Sequence, residues 1–249
     1  MSNNPDPLKS VIRLVVLVGG FLTISLMGYL AYQIFKQTIR DRTASNIIFT
    51  DPNNPSVKTT KVGLSSFEII EGTPYRIAPV FTYQVADRGY YSKGAISPTN
   101  YLVLNAKDKS AIRLTPTNNA LFTQYQKIGQ NDKNGKLVKA SGIWYELVKA
   151  DTDGDKRLTE ADRKTIAVSD LSGANYTEVI PKVDRLFNTF QVNQTNVLMV
   201  YESAGKNFVT ELDLSQRKSI ETKELPTINH TENLMFAGKP AFDGKKHES

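Results

Sequence analysis

The chain has 249 residues, no cysteine, only two histidines and a formal net charge of +6. The absence of cysteine excludes a disulfide scaffold, a thiol nucleophile, a cysteine-based zinc site, an iron–sulfur cluster and an acylated lipoprotein. His230 and His247 both lie near the C-terminus, which leaves little for histidine-based catalysis or metal binding. A chain of this length can bury a hydrophobic core without a disulfide or a structural metal to stabilise it.

The first feature along the chain is an uncharged apolar segment from Leu14 to Phe35. About 20 helical residues cross a bilayer core, so the segment predicts a transmembrane helix over 14–35, between a short N-terminal segment (1–13) and a juxtamembrane linker (36–45). Basic residues flank it on both sides: Lys9, Arg13, Lys36, Arg40 and Arg42. The alternative is a cleaved signal peptide, but such apolar regions are shorter, and Tyr29 places a bulky residue where the cleavage site requires a small one.

The position of this helix predicts a single-pass protein of the bacterial inner membrane. The numbers of basic residues on the two sides of the helix are nearly equal, so they give little preference for either orientation. We therefore expect the usual arrangement for one N-terminal anchor, with the large domain outside the cytoplasm, facing the periplasm. The lipid bilayer is then one partner. Small residues let helix backbones approach each other, so this helix could also mediate homo-oligomerisation. The small residues concerned are Gly19, Gly20, Thr23, Ser25 and Gly28.

The next region, 46–222, has the pattern of an antiparallel β domain, with short apolar runs separated by turn residues. Four segments repeat one order: an apolar strand that ends in Asp or Asn, a polar turn, and a more polar second strand. The Asx side chain can accept a hydrogen bond from the backbone two residues on and so start the turn. The four apolar strands are 46–51, 100–105, 165–170 and 208–213.

These four predicted hairpins resemble the blade hairpins of bacterial WD40-like β-propellers, such as the propeller of the Tol–Pal system. The resemblance implies a mainly β fold that is propeller-like. The repeat spacing is uneven, and the domain has room for only about four blades, the low end for propellers. A partial propeller is therefore as compatible with the sequence as a closed ring, and a β-sandwich is the alternative.

The most specific motif is the acidic loop 151–162. Ca²⁺ takes six to eight oxygen ligands, and a twelve-residue loop supplies them from positions 1, 3, 5, 7, 9 and 12. Leu158 at position 8 would anchor the loop in the core. The corresponding ligands are Asp151, Asp153, Asp155, the Arg157 carbonyl, Thr159 and Asp162.

This loop resembles the calcium loops of EF-hands and dockerins, with two departures. Lys156 occupies position 6, where EF-hands place glycine to reach a left-handed backbone, and Asp162 is shorter than the usual bidentate Glu. Strand-like segments flank the loop, Trp144–Val148 before it and Thr165–Val168 after it. We therefore expect a weak, structural Ca²⁺ site joining two strands; the alternative is a solvated Asp-rich turn without a metal.

The remaining sequence favours binding over catalysis. No hydrolase, P-loop or dinucleotide motif occurs, and carboxylates such as Glu146 are expected on strand surfaces. The positive charge is divided evenly between the N-terminal segment and the rest, so a nucleic-acid partner is excluded. Residues 223–249 form a polar C-terminal tail. The expected function is a non-enzymatic, membrane-anchored binding or scaffold protein of the cell envelope; the alternatives are a subunit of a larger membrane complex and a carboxylate-dependent hydrolase.

Overall fold

The computed structural model describes residues 16–20, 23, 25–30, 32, 44–51, 57–88 and 91–226. The predicted segment 1–13, most of the predicted linker and the tail beyond residue 226 lie outside the described residues. The described residues from Ala44 onward are mainly β, as predicted. The strands are β1 (Ala44–Ser45), β2 (Ile48–Phe49), β3 (Val57–Leu64), β4 (Glu68–Ile69), β5 (Tyr75–Arg88), β6 (Tyr91–Asn105), β7 (Ala111–Arg113), β8 (Leu121–Asn131), β9 (Leu137–Val148), β10 (Arg157–Leu158), β11 (Lys164–Ser169), β12 (Thr177–Val183), β13 (Arg185–Gln191), β14 (Asn196–Ser203), β15 (Lys206–Asp213) and β16 (Lys218–Glu224).

The strands form three larger sheets in chain order. The first sheet has the order β1-β6-β5-β3, with β4 on β5 and β7 on β6. The middle sheet has the order β12-β11-β9-β8, and the last sheet has the order β13-β14-β15-β16. All pairs are antiparallel except β1 with β6. A small ribbon of β10 and β2 joins the acidic loop to the start of the domain.

Two hydrophobic cores hold these sheets together, one on each face of the middle sheet. On β9, Tyr145 and Leu147 belong to the core shared with the first sheet, which includes Ile77 and Val103. Trp144, on the opposite side of the same strand, belongs to the core shared with the last sheet. Coverage on both faces explains why all six residues of β11 are buried. The described sheets therefore form three layers, one more than a β-sandwich has.

Three of the four predicted hairpins are confirmed. β6 pairs with β7, β11 pairs with β12, and β15 pairs with β16, all antiparallel. In each, the Asx side chain at the strand end accepts a hydrogen bond from the backbone two residues on. These bonds run from Lys107 N to Asn105 Oδ1, from Ser172 N to Asp170 Oδ1, and from Ser215 N to Asp213 Oδ1.

The first predicted hairpin is wrong. β2 does not pair with β3; it pairs with β10 in the acidic loop, and β3 pairs with β5. The first and last described strands lie close to the predicted domain bounds of 46 and 222: β1 begins at Ala44 and β16 ends at Glu224. The N–H of Leu225 still donates to the carbonyl of Asn207, so the last sheet holds the chain to this point.

The N-terminal apolar segment is described only in part. Residues 16–20, 23, 25–30 and 32 are helical, and their side chains are exposed. The hydroxyl of Thr23 donates to the carbonyl oxygens of Gly19 and Gly20, at 3.1 and 2.8 Å. No helix within the described residues is both long and apolar enough to cross a membrane.

Candidate functional site: the acidic loop and the adjoining cleft

The acidic loop connects β9 to β11, two paired central strands of the middle sheet, so its flanks are strands as predicted. Within the loop, β10 pairs with β2, and the N–H of Thr50 donates to the carbonyl of Lys156 at 3.1 Å. Leu158 is buried and packs with Ile48, Leu121 and Val148 in a third small core. The loop is therefore fixed at both ends and at its predicted apolar anchor.

Three of the six predicted ligands come together at the surface. Asp151, Asp153 and Asp155 each offer a carboxylate oxygen, and these oxygens lie within 4.8 Å of one another. Asp151 accepts hydrogen bonds from the N–H groups of Gly154 and Lys156, both at 2.7 Å. These bonds orient its carboxylate towards the inside of the loop turn. Three oxygens in this arrangement match the ligand type that Ca²⁺ prefers.

The loop backbone turns through the left-handed region at Lys156, where φ is +65°. This is the position at which an EF-hand loop uses glycine, so the conformation expected there is present without the glycine. A left-handed residue with a side chain costs roughly 1–2 kcal/mol. The Lys156 ammonium lies 3.1 Å from an oxygen of Asp51, which ties the turn to the segment after β2.

Asp162, the twelfth residue of the loop, is fully buried. Its Oδ1 accepts from the N–H of Thr152 at 2.6 Å and from the Thr152 hydroxyl at 3.0 Å, and its Oδ2 accepts from the N–H of Thr159 at 2.9 Å. Burial raises the pKa of this carboxyl, but these hydrogen bonds outweigh burial and hold the pKa below its usual value. Asp162 thus closes the loop by binding its two ends.

Two of the other three predicted ligands, Thr159 and Asp162, accept hydrogen bonds from groups within the loop. The Thr159 hydroxyl accepts from the N–H of Ala161 at 3.2 Å. For Arg157 the predicted ligand is the backbone carbonyl oxygen; its guanidinium lies over the Phe49 ring, with Nε 4.0 Å from an oxygen of Asp155. Metal-ligand roles for Arg157, Thr159 and Asp162 stay predictions.

Two residues that fix the loop were not singled out in the sequence. Thr152 supplies two of the three hydrogen bonds to Asp162. Lys164 is largely buried, and its ammonium donates to the carbonyl oxygens of Glu160, Asp162 and Asp184. A lysine at the start of an apolar run was the available signal, because a buried ammonium needs several acceptors.

Beside the loop, a polar cleft of about 460 Å³ opens between the middle and last sheets. It lies where the apolar core around Trp144 and Ile166 gives way to polar side chains on the same face of the middle sheet. Glu160 and Ala161 belong to both the loop and the cleft wall. The lining residues are Gln124, Glu146, Glu160, Ala161, Lys164, Asp184, Arg185 and Leu186.

Glu146 is buried in this cleft, which corrects its expected surface position. Its Oε1 accepts a hydrogen bond of 2.6 Å from the Thr123 hydroxyl. Burial raises the pKa of Glu146, and the Thr123 hydrogen bond and the charge of Lys164 offset this only in part. Glu160, a second carboxylate, lines the same cleft, and its charge also raises the pKa of Glu146.

No protein-family model matches the chain, and no curated protein sequence matches it.

Proposed function

We propose that this chain is a single-pass, membrane-anchored β-rich binding or scaffold protein of the cell envelope, with its domain outside the cytoplasm. The observation that carries the proposal is the exposure of apolar helical side chains near the N-terminus. Val16, Leu17 and Met27 are 67%, 71% and 74% exposed. Soluble surfaces rarely present such a run, whereas a bilayer solvates it.

The hydrogen bonding of this segment supports the same proposal. In hydrocarbon every polar group needs an internal partner, and a threonine can provide its own by bonding to the preceding helical turn. The Thr23 hydroxyl does this with Gly19 and Gly20. The helix thus brings no unpaired hydroxyl at this position into an apolar environment.

The anchor is tested on the full chain expressed in bacterial membranes. We expect the protein to resist extraction with alkaline carbonate and to be released only by detergent. A matched variant, Leu26→Lys with Met27→Lys, places two charges near the centre of the apolar run at a cost of about 2.5–3.5 kcal/mol each, and we expect it to become extractable. Extraction of the unmodified chain by carbonate would overturn the anchor.

For the domain we propose a partial propeller. The middle and last sheets are each four-stranded antiparallel meanders consecutive in sequence, which is the composition of a propeller blade, and β3, β5, β6 and β7 follow a similar path. Three such sheets are fewer than the known closed rings contain. This supports an open stack whose edge strands are available to a protein partner.

We also propose that the acidic loop binds a structural Ca²⁺, carried by the convergence of Asp151, Asp153 and Asp155. An ion bound only by the folded state stabilises it by mass action, so melting temperature should rise with Ca²⁺ and return with chelator. Asp153→Asn should abolish most of this response, whereas Asp132→Asn, in the β8–β9 turn, should keep it. An unchanged melting curve in millimolar Ca²⁺ would refute the site.

The proteins that bind this chain distinguish a scaffold from a subunit of a larger membrane complex. Mild-detergent affinity purification of the full chain identifies those proteins. A stoichiometric set of membrane proteins would favour the complex subunit, whereas a single soluble or envelope partner would favour the scaffold.

The alternative function, a carboxylate-dependent hydrolase, would use the cleft that Glu146 and Glu160 line. Saturable turnover of a glycoside that Glu146→Gln abolishes would establish it.

A further inference from the structure

The last sheet has an outer face that the described residues leave open. Its inner face packs on the middle sheet through Val197, Met199 and Tyr201 of β14, which are buried in the second core. Successive side chains of a strand point to opposite faces, so the residues between these three lie on the outer face. Along β13, β14, β15 and β16 the residues that the register places on that face are half-buried or exposed, with one exception at a strand end.

The exception is Asp213, which is buried at the end of β15. Its carboxylate accepts hydrogen bonds from Ser215 and Gln216 of the turn that it starts. The burial of Asp213 therefore follows from its own turn, and it does not show that another segment crosses the sheet.

The centre of this outer face is apolar. Phe190 of β13 stands opposite Leu198 of β14, and Val200 stands opposite Val209 of β15. Val192 continues the row two residues after Phe190, since its N–H still pairs with the start of β14. Phe190 and Val192 are 50% and 51% exposed. Adjoining exposed apolar side chains on one sheet face are typical of a docking surface.

The polar residues beside this apolar centre contact one another. The side-chain amide of Asn196 donates to Glu211 at 2.6 Å, and the ammonium of Lys223 lies 3.0 Å from an oxygen of Glu221. All four residues belong to the sheet itself. Because these carboxylates already have partners, an occupant of the face is held mainly by apolar contacts.

The chain leaves the described domain beside this face. The N–H of Leu225 donates to the carbonyl of Asn207 at 2.8 Å, and Asn207 lies two residues before Val209 on β15. Residues 227–249 follow Pro226, and their longest apolar run is 234–237. That run consists of Leu234, Met235, Phe236 and Ala237.

The apolar run can reach the whole apolar centre. Residues 227–233 separate it from Pro226, and an extended chain of that length spans at most about 25 Å. Phe190, the far side of the centre, is three strand spacings and four residues from Leu225, which is roughly 20 Å at the usual sheet dimensions. The connection is therefore long enough without any movement of the sheet.

We propose that the segment 234–237 docks on the outer face of the last sheet, with Leu234, Met235 and Phe236 over the apolar centre. Burial of these side chains against the sheet removes apolar surface from water on both partners. The short connection makes the contact intramolecular, so a modest intrinsic affinity is sufficient. This strap covers the face of the end sheet, and it is independent of the proposed anchor and of the proposed Ca²⁺ site.

The absence of cysteine permits a direct test on the full chain in detergent. Asn188 is exposed on the outer face opposite Val200, so Asn188→Cys reports coverage without removing an apolar contact. Ile112→Cys is the control, because Ile112 is 43% exposed on β7 of the first sheet. The rate of alkylation by N-ethylmaleimide is measured at each cysteine.

Each rate is compared between the native tail and a tail variant with Leu234→Ser, Met235→Ser and Phe236→Ser. We expect alkylation of N188C to become faster by about threefold or more in this variant, with no change at I112C. A matched tail variant, Phe242→Ser, should change neither rate.

Equal rates at N188C with and without the three tail substitutions would overturn the docking. Protection of N188C that disappears on dilution would mean that a second copy covers the face, and would also overturn it. A faster reaction at both cysteines would show that the tail stabilises the whole domain and does not cover this face. An effect of Phe242→Ser as large as that of the triple variant would assign the face to a different segment, against the proposal.

Discussion

Asp162→Ala removes the carboxylate that closes the acidic loop. In the folded protein this side chain is completely buried and accepts three hydrogen bonds, two from Thr152 and one from Thr159. The substitution leaves all three donors without their acceptor. Because the bonds join the two ends of the loop, their loss releases the chain between β9 and β11 even when no metal is bound.

The size of the effect follows from these three bonds. Hydrogen bonds to charged groups contribute about 1.5–3 kcal/mol each. Thr152 is exposed, so water replaces part of what its two bonds lose. We therefore take about 1 kcal/mol for each bond, or about 3 kcal/mol in total. For a domain of this size that lowers the melting temperature by about 6–12 °C.

The assay is thermal unfolding of the full chain in detergent with EDTA, which removes any contribution from bound metal. Asp155→Ala is the matched control, because its exposed carboxylate accepts one backbone hydrogen bond, from Arg157, and we expect a loss below about 1 kcal/mol. Equal melting temperatures for the two variants at pH 7 would refute the assignment of Asp162 as the loop closure.

The pH dependence provides a second check on the same residue. The folded pKa of Asp162 lies below the usual value of 3.8. A lowered carboxyl pKa contributes stability that is fully present above the unfolded pKa and is lost as pH falls through the folded one. The difference between the unmodified chain and Asp162→Ala should therefore narrow below about pH 4. A difference that stays constant down to pH 2 would contradict the charged hydrogen bonds.

Three further substitutions test other parts of the structure by thermal unfolding. Glu146→Gln should raise the melting temperature at pH 7 but not at pH 4. The reason is that a carboxyl of raised pKa destabilises the fold only at a pH at which it is ionised. A higher melting temperature at both pH values would count against the raised pKa of Glu146. Gly129→Ala would place a Cβ against the carbonyl oxygen of Lys139 and should cost about 1–3 kcal/mol. Gly63→Ala, with open space around it, should leave stability unchanged or raise it by up to about 1 kcal/mol. Asp213→Ala removes the acceptor of the β15–β16 turn and should cost about 1–2 kcal/mol, with no loss disproving that the Asx turn stabilises the hairpin.

The sequence was most informative where structure is local. Asn105, Asp170 and Asp213 each start a turn with their own side chain, so a few neighbouring residues determine the hairpin. The left-handed turn at Lys156 and the buried anchor at Leu158 were predictable for the same reason, because the twelve-residue pattern places both.

The errors arose where the partner is distant in sequence. The segment Ile48–Phe49 has the composition of a hairpin strand, but its partner lies more than 100 residues away in β10. Nothing in the local pattern specifies that pairing. The error at Glu146 is of the same kind, because the cleft that Glu146 lines is walled from the next sheet by Asp184 and by Arg185 at the start of β13. Alternation within β9 could not reveal that neighbour.

The position of the acidic loop follows from these long-range contacts. Its middle is held by β2, at the start of the domain, through the β10 pairing. Its end is held by Lys164, whose ammonium also reaches the carbonyl of Asp184 beside the last sheet. The loop therefore connects the start of the domain to the corner between the middle and last sheets. A cation bound there would stiffen that connection, and because Glu160 also lines the cleft, it would set the shape of the cleft wall as well.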